Sequence, residues 1–448
     1  MIVKTIAISK FNFLASVVSL PQEEINKINN LIFNFVWNSK SDKIKRSIFI
    51  QDKKRGGQNM EDFSVNMKAL KCQWIKRYFL NDVDAKWKAA FEFFLGKKNT
   101  KLFLCSDFDL TEIPNHCPVY YKEAVHVWRQ IKHDTCEDPD DIAKQCVWYN
   151  RNIKIGGSTI FRESLFRAGL WTVSDLYKDN SVVGFHEWCK RGVSPNCFYM
   201  WQQVVKAIPQ RWKLVMREYN FEEGNTHILS TILINNKEID ITKTEQKDIK
   251  HFFKLEAYKQ LSATDFKAKT KYKEKGITND DFPWEQVYIL YNKLPVSNKV
   301  ATLQYKILFR IVATNSLLFK MKKINSPLCE FCGLYSDDIE HLFFRCSHVR
   351  NFWFSFEDFW NNRCVNRNVP QLTLSLNDVL FGLMNSGQYV DVINTILLYG
   401  KQYIFICKQE SLFPKVNHFI NYLMNELHVL AEAYHENICI TDALHLLE

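Results

Sequence analysis

Residues that permit tight turns are scarce in this chain. Its 448 residues include only 14 Gly and 11 Pro, whereas a protein built from many short strands needs frequent turns. Hydrophobic residues make up 46% of the sequence and aromatic residues 14%, which excludes the disordered and fibrous classes. The sequence therefore predicts a mainly α-helical, multi-helical protein whose length suffices for about three globular units.

The first hundred residues carry nearly all of the positive charge. They contain 18 Lys or Arg against 9 acidic residues, while the whole chain has a formal net charge of +10. A helix is predicted from Gln22 to Trp37, where apolar side chains recur every three or four residues. A second helical pattern follows Ser64, which we interpret as its N-terminal cap.

Cationic side chains cluster between these two helices. The pair Gly56-Gly57 follows them and favours a loop, or a short hairpin near residues 45 to 60. Lys and Arg side chains neutralise phosphates and release counterions, so the cluster predicts binding of RNA or DNA, largely through phosphates. The predicted nucleic-acid-binding residues are Lys40, Lys43, Lys45, Arg46, Lys53, Lys54 and Arg55.

Composition and helical periodicity divide the chain into five regions. These are a basic helical region (1–100), a helical connector (101–240), a long polar helix or linker (241–282), a region with a cluster of cysteines (283–365), interpreted below as a small zinc-binding subdomain, and a helical C-terminal tail (366–448). In the third region we expect one polar helix between Thr244 and Lys275. Further helical patterns cover Trp284 to Lys323, Val390 to Cys407 and Phe413 to Ala433.

Four candidate metal ligands lie within eighteen residues. Two residues separate Cys329 from Cys332, and four separate His341 from Cys346. Two thiolates on a tight turn, joined by a later His and Cys, supply the tetrahedron that Zn²⁺ prefers in structural sites. Such a closed site leaves no position for water, so the predicted role of Zn²⁺ is to stabilise the fold. The alternative interpretation is a set of buried thiols with a core histidine.

The helix expected from Asp338 to Arg345 sets a geometric condition on this site. His341 and Cys346 are five residues apart, which places them about 140° apart around an ideal α-helix. The last turn must therefore unwind for both side chains to face one ion. His348 remains open as a substitute ligand for His341.

The segment Tyr335-Ser336-Asp337-Asp338 matches the Tyr-x-Asp-Asp string with which polymerases hold catalytic Mg²⁺. No β-hairpin pattern surrounds it, although a polymerase site needs one and a third carboxylate besides. We interpret Asp337 and Asp338 as the cap and first turn of the helix that carries His341. The chain also lacks a phosphate loop, a nucleophile elbow and a dinucleotide fingerprint, so no catalytic residue is predicted.

The cysteines indicate the cellular compartment. There are 13, an odd number scattered along the chain, which argues against a secreted disulfide framework. No apolar run reaches the roughly 18 to 20 residues of a membrane span. We therefore expect an intracellular protein, in the cytoplasm, the nucleus or both, without a membrane partner.

Several stretches together resemble one family, the protein of the second reading frame of LINE-type, non-LTR retrotransposons, in the part that follows the reverse transcriptase palm. The segment Leu303 to Trp353, with Thr314-Asn315, Cys329-Glu330-Phe331-Cys332, Glu340-His341-Leu342-Phe343 and Cys346, resembles the zinc-binding domain of that family and is the most specific part. The other similar stretches are Ile2 to Leu20, Ile32 to Trp37, Gly56 to Met60, Trp148 to Gly157 and Gly169 to Leu176.

The resemblance implies a basic remnant of the polymerase thumb at 1–100, a connector, and a reverse-transcriptase zinc-binding domain with structural Zn²⁺. It also implies RNA or DNA as partners, and an upstream polymerase palm on a separate or full-length chain. The family's polymerase and endonuclease active sites lie upstream of the matching stretches, so we expect no polymerase activity from this chain alone. The alternatives are an RNA-directed DNA polymerase by family membership, or an inactive retrotransposon relic that acts only through protein contacts.

Overall fold

A computed structural model describes residues 8–39, 41–80, 85–132, 138–218, 231–234, 237–258, 267–364, 371–384, 387, 389–433 and 437–447. Helices dominate these residues, so the predicted mainly α-helical fold is confirmed. In chain order the α-helices are α1 (Ser9–Val17), α2 (Gln22–Trp37), α3 (Arg46–Ile50), α4 (Phe63–Phe79), α5 (Lys86–Leu95), α6 (Thr100–Cys105), α7 (Val119–Ile131), α8 (Pro139–Lys144), α9 (Glu163–Arg167), α10 (Phe185–Lys190), α11 (Phe198–Ala207), α12 (Gln210–Glu218), α13 (Gln246–Tyr258), α14 (Lys267–Glu274), α15 (Trp284–Lys293), α16 (Asn298–Leu308), α17 (Asn315–Lys320), α18 (Ser347–Cys364), α19 (Leu376–Phe381), α20 (Val390–Gln409), α21 (Val416–Ala433) and α22 (Ile438–Leu447).

Strands within the described residues are short and form three antiparallel pairs. These are β1 (Lys154–Ile155) with β2 (Ser158–Thr159), β3 (Tyr177–Lys178) with β4 (Ser181–Val182), and β5 (Thr231–Ile234) with β6 (Lys237–Asp240). In the longest pair, Ile232 lies opposite Ile239. These two-stranded pairs are small additions to a helical protein.

The chain forms two compact units. The first comprises Met1–Ile32 and Glu61–Lys259, and the second comprises Phe33–Met60 and Gln260–Glu448. The five regions expected from the sequence stay a prediction.

The first unit is organised around α4. This helix packs against α1, α7 and α13, and its buried Phe79 lies with its ring centroid 5.7 Å from that of Trp128. The helix begins two residues earlier than expected, because Phe63 is already helical and fully buried. The N-cap is therefore Asp62, whose carboxylate accepts a hydrogen bond from the backbone N–H of Ser64 at 2.8 Å. Our prediction that Ser64 is the cap is wrong.

The second unit is organised around α20, which packs against α16, α21 and α22. Gly400 of this helix lies against the ring of Trp353, and a Cβ atom at this position would come within 2.5 Å of the ring. The close approach therefore requires glycine. The helix expected at Val390 to Cys407 is confirmed, with two more residues at its C-terminal end.

Two other sequence expectations are changed by the structure. The polar segment is helical at α13 and α14, while residues 259–266 lie outside the described residues. Residues 45 to 60 form no hairpin. Ile48, Phe49 and Ile50 are all buried, and three consecutive buried side chains suit the short helix α3 better than a strand exposed on one face. A 3₁₀ turn at Lys53–Arg55 follows.

No helix in the described parts of the chain is both long enough and apolar enough to cross a bilayer.

A buried lysine on α20 gives a pH-dependent prediction. Burial lowers the pKa of Lys401 to about 7, whereas an unfolded lysine titrates near pH 10.4. Between these values the unfolded chain binds more protons, so the contribution of Lys401 to stability increases as the pH rises through this window. We expect Lys401→Met to stabilise the protein by about 1–3 kcal/mol at pH 6, and the difference from wild type to shrink towards pH 10. Chemical unfolding at a series of pH values measures this, and a constant difference would contradict it.

Candidate metal centre

The first half of the candidate centre is a tight turn between Cys329 and Tyr335. The N–H of Gly333 donates to the carbonyl of Cys329, and the N–H of Cys329 donates to the carbonyl of Tyr335, both at 2.8 Å. Gly333 has a φ of 65°, a conformation that favours glycine. The N–H groups of Phe331 and Cys332 point at the sulfur of Cys329. Backbone N–H groups directed at a sulfur stabilise its thiolate, which is the form that binds a metal.

The second half is a single π-helical turn at His341–Arg345. The N–H of Cys346 donates to the carbonyl of His341 at 2.9 Å, which is a bond between residues five apart. The helix therefore widens, instead of unwinding as the sequence suggested, and the wider turn brings both side chains to one side. The expectation that Cys346 ends this helix is confirmed, since its backbone is extended.

The two halves bring four ligand atoms together. The Sγ atoms of Cys329, Cys332 and Cys346 and a ring nitrogen of His341 all lie within 4.8 Å of one another. The sulfurs of Cys329 and Cys346 are 3.9 Å apart, and the sulfur of Cys332 is 3.3 Å from Nε2 of His341. Tetrahedral zinc, with Zn–S bonds of about 2.3 Å and Zn–N bonds of about 2.0 Å, places sulfurs about 3.8 Å apart and sulfur and nitrogen about 3.5 Å apart. The donor set therefore fits a zinc ion in size and in chemistry.

Burial and hydrogen bonds favour the metal-binding form of two of the four side chains, Cys346 and His341. The thiol of Cys329 donates to Cys346, which raises the pKa of Cys329 and lowers that of Cys346. The N–H groups of His348 and Val349, at the start of α18, also lower the pKa of Cys346. Burial lowers the pKa of His341, which favours the neutral imidazole that ligates metals.

The substitute ligand His348 lies elsewhere. Its side chain is exposed, and its ring centroid is 4.6 Å from that of Phe413. In the described residues the three sulfurs gather around His341, and His348 contributes its backbone N–H to Cys346 instead of its ring.

The two aspartates of the Tyr-x-Asp-Asp segment have different partners. Asp338 accepts a hydrogen bond from the N–H of His341 at 2.9 Å, as a cap would. Asp337 is fully buried, accepts from the N–H of Asn315 at 2.9 Å and pairs with the ammonium of Lys408. Asp337 therefore joins α17 and α20 to the loop at residues 328–338, here called the metal loop, a role that its position in the sequence does not reveal.

A second buried carboxylate holds the π-helical turn. Burial alone would raise the pKa of Glu340, but hydrogen bonds from Arg310 and Lys275 outweigh it and lower the pKa to about 2. Arg310 binds both carboxylate oxygens, and Lys275 Nζ lies 2.7 Å from one of them. Glu340, the residue before His341, is thus fixed by the cationic side chains of Arg310 and Lys275.

The structure places most of the predicted nucleic-acid-binding residues at the surface. Lys40 lies outside the described residues. Arg46 is half-buried, because it pairs with Asp42 at 2.7 Å and lies over the ring of Phe33. The exposed members are Lys43, Lys45, Lys53, Lys54 and Arg55.

This basic segment packs within the same compact unit as the four metal ligands. The amide of Gln58 donates to the hydroxyl of Tyr291 at 3.1 Å, and the rings of Phe49 and Tyr305 have centroids 6.0 Å apart. The sequence predicts that the segment belongs to the region 1–100. Its packing partners lie more than two hundred residues away, and no local pattern marks them.

Comparison with known families agrees with this site. A family described as zinc-binding in reverse transcriptase matches residues 266–353, which include all four ligands. None of the curated proteins matches the chain. The C-terminal region is therefore related to reverse transcriptases and carries a candidate zinc site.

Proposed function

We propose that this chain is a zinc-binding, nucleic-acid-binding portion of a LINE-type, non-LTR retrotransposon protein. The observation that carries the proposal is the cluster of Cys329, Cys332, His341 and Cys346 inside the segment similar to reverse-transcriptase zinc-binding regions. The finer assignment to the LINE type rests on the resemblance of the other stretches described above. Partners are RNA or DNA, bound mainly through phosphates.

The zinc ion has a structural role in this proposal. Cys329, Cys332, His341 and Cys346 hold it, and with four protein ligands it has no open position for a substrate or water. When bound, the ion ties the turn at residues 329–335 to the π-helical turn and to the start of α18. Binding energy becomes folding energy, because the unfolded chain has no preformed site.

A pair of neighbouring cations, the half-buried Lys306 on α16 and the exposed Lys43, supports the proposed binding of phosphates. Burial lowers the pKa of Lys306, and the charge of the nearby Lys43 lowers it further. Within the described residues neither side chain has a carboxylate partner. Two unpaired neighbouring cations repel each other, and a phosphate group between them would remove that repulsion.

Salt dependence tests the binding of nucleic acid. We expect the affinity for single-stranded RNA to fall steeply with salt concentration, and Lys43→Gln, Lys53→Gln and Lys54→Gln together to lower the slope of log K against log[salt] by about 2, or about 0.7 for each lost contact. Arg46 is left intact, because its contacts with Asp42 and Phe33 are structural. Fluorescence anisotropy over a salt series measures the slope.

A matched control removes the same charge elsewhere. Lys178, Lys206 and Lys415 are also exposed, and their joint replacement by Gln should leave the slope unchanged if binding is local. Binding that does not respond to salt, or an equal effect of both triple variants, would contradict the proposal.

A further inference from the structure

The outer face of the metal loop exposes apolar side chains. Leu334 and Tyr335, at the end of the turn that carries Cys329, are 74% and 66% exposed, and Leu328 on the other side of the turn is 43% exposed. Leu328 and Ser336 are bridged, so these side chains are held on a defined backbone. Large apolar side chains that remain exposed on an ordered loop suggest a contact surface.

The backbone fixes Tyr335 next to the metal ligands. Its carbonyl accepts from the N–H of Cys329, and its ring centroid is 5.8 Å from that of His341. An aromatic ring that is both ordered and exposed offers an open face on which a planar group can stack at a small entropic cost. The proposed zinc ion would therefore order this ring as well as the ligands.

Three cations lie at and just beyond the C-terminal end of α17, the helix whose start is bonded to the same loop. The N–H of Ser316 donates to the carbonyl of Asp337 at 3.1 Å, which anchors the start of α17 to the metal loop. The helix ends at Lys320, four residues after Ser316, so its end lies about 6 Å along the helix axis from that anchor. At this end Lys320, Lys322 and Lys323 are exposed, and within the described residues none of them is in a salt bridge.

We propose that this face binds single-stranded nucleic acid, with Tyr335 stacking on a base and the three lysines holding the adjoining phosphates. The proposal rests on the proposed function and deepens it by naming the strand type and the contact residues. A π-face beside unpaired cations complements a base beside phosphates, and the bases of a duplex have no free face to offer. An acidic peptide would match the lysines and would leave the aromatic ring unused.

The experiment compares single-stranded polyuridine with an RNA duplex, using the full chain loaded with zinc. We expect Tyr335→Ala to weaken binding of the single strand by about 5- to 150-fold, with an unchanged salt slope and unchanged duplex binding. Tyr335→Trp should restore the affinity.

Replacement of Lys320, Lys322 and Lys323 by Gln should instead lower the salt slope by about 2. Tyr199→Ala, at an equally exposed tyrosine of the other unit, should change nothing.

Each other outcome overturns one specific claim. Zinc content and thermal stability are measured for every variant, so a loss of binding that follows a loss of metal counts against stacking. If the chain binds polyuridine with a steep salt slope and Tyr335→Ala has no effect, stacking at this face is wrong while the proposed function stands. If wild type binds neither RNA, both fail. If a polyglutamate peptide competes for binding and the effect of Tyr335→Ala is equal on both ligands, the face is a peptide site.

Discussion

Cys332→Ser is expected to release the metal and to unfold the metal loop. Wild-type protein should contain about one zinc ion per chain and the variant none, because three remaining ligands no longer close the tetrahedron. Structural zinc sites have apparent binding free energies of about 10–16 kcal/mol in small peptides. We therefore expect the unfolding free energy of the second unit to fall by on the order of 5 kcal/mol, a large part of the stability of a typical domain. Elemental analysis and chemical unfolding measure the two effects.

A matched cysteine in the same unit serves as the control. Cys439 is also half-buried, and its sulfur lies 3.5 Å from the hydroxyl of Thr395, a contact that serine can keep. Cys439→Ser should leave both metal content and stability nearly unchanged. A strong chelator should reproduce the effect of Cys332→Ser in the wild type. Purified protein that holds no metal and unfolds like Cys332→Ser would support the alternative of buried thiols.

The four candidate ligands of this site could be predicted from the sequence, but the geometry of the site could not. Spacing alone identified two cysteines of one turn and a His and Cys near one helix end, because the chemistry of tetrahedral zinc restricts both spacings. The π-helical turn left no such signal. In an ideal α-helix, residues five apart such as His341 and Cys346 do not face the same side. The wider π-helical turn brings them together, and the bonds of Glu340 with Arg310 and Lys275 stabilise that turn.

Helices were predictable wherever a periodic apolar pattern was long. The helix from Gln22 to Trp37 is found with both predicted ends. Helix ends that depend on a single capping hydrogen bond were harder to predict. At the start of α4, Asp62 and Ser64 are both good capping residues, and the burial of Phe63 decides between them. The hairpin predicted near residues 45 to 60 is wrong, because the turn residues of this segment are also compatible with a short helix. Burial of Phe49 against a distant aromatic ring favours the helix.

Buried ion pairs are the part of the site that sequence could not supply. Lys408 follows Asp337 by 71 positions, and in the sequence it stands just after the helical pattern that ends at Cys407, where nothing marks it as paired. The structure makes it nearly inaccessible and places its ammonium on the carboxylate of Asp337. The other carboxylate oxygen, Oδ1, has no hydrogen-bond partner among the described residues. The negative charge of Asp337 is therefore compensated mainly by Lys408.

Lys408→Met should accordingly destabilise the second unit by about 3–5 kcal/mol, because it leaves the charge of Asp337 buried without a partner. Zinc affinity should fall too, since Asp337 anchors the metal loop to α17. The double variant Asp337→Asn with Lys408→Met removes the isolated charge and should recover a large part of the loss. Chemical unfolding and zinc titration of the wild type, the single variants Asp337→Asn and Lys408→Met, and the double variant measure the coupling between the two residues.

Lys401→Met is the sharpest control for this result, since it makes the same substitution two turns earlier on the same buried helix. Burial lowers the pKa of Lys401, whereas the ammonium of Lys408 is paired with the carboxylate of Asp337. Removal of the first charge relieves a desolvation cost, and removal of the second creates one. The two variants should therefore shift the unfolding free energy in opposite directions at pH 6. A shift of the same sign and size in both would mean that methionine packing, and not charge, decides the stability of α20.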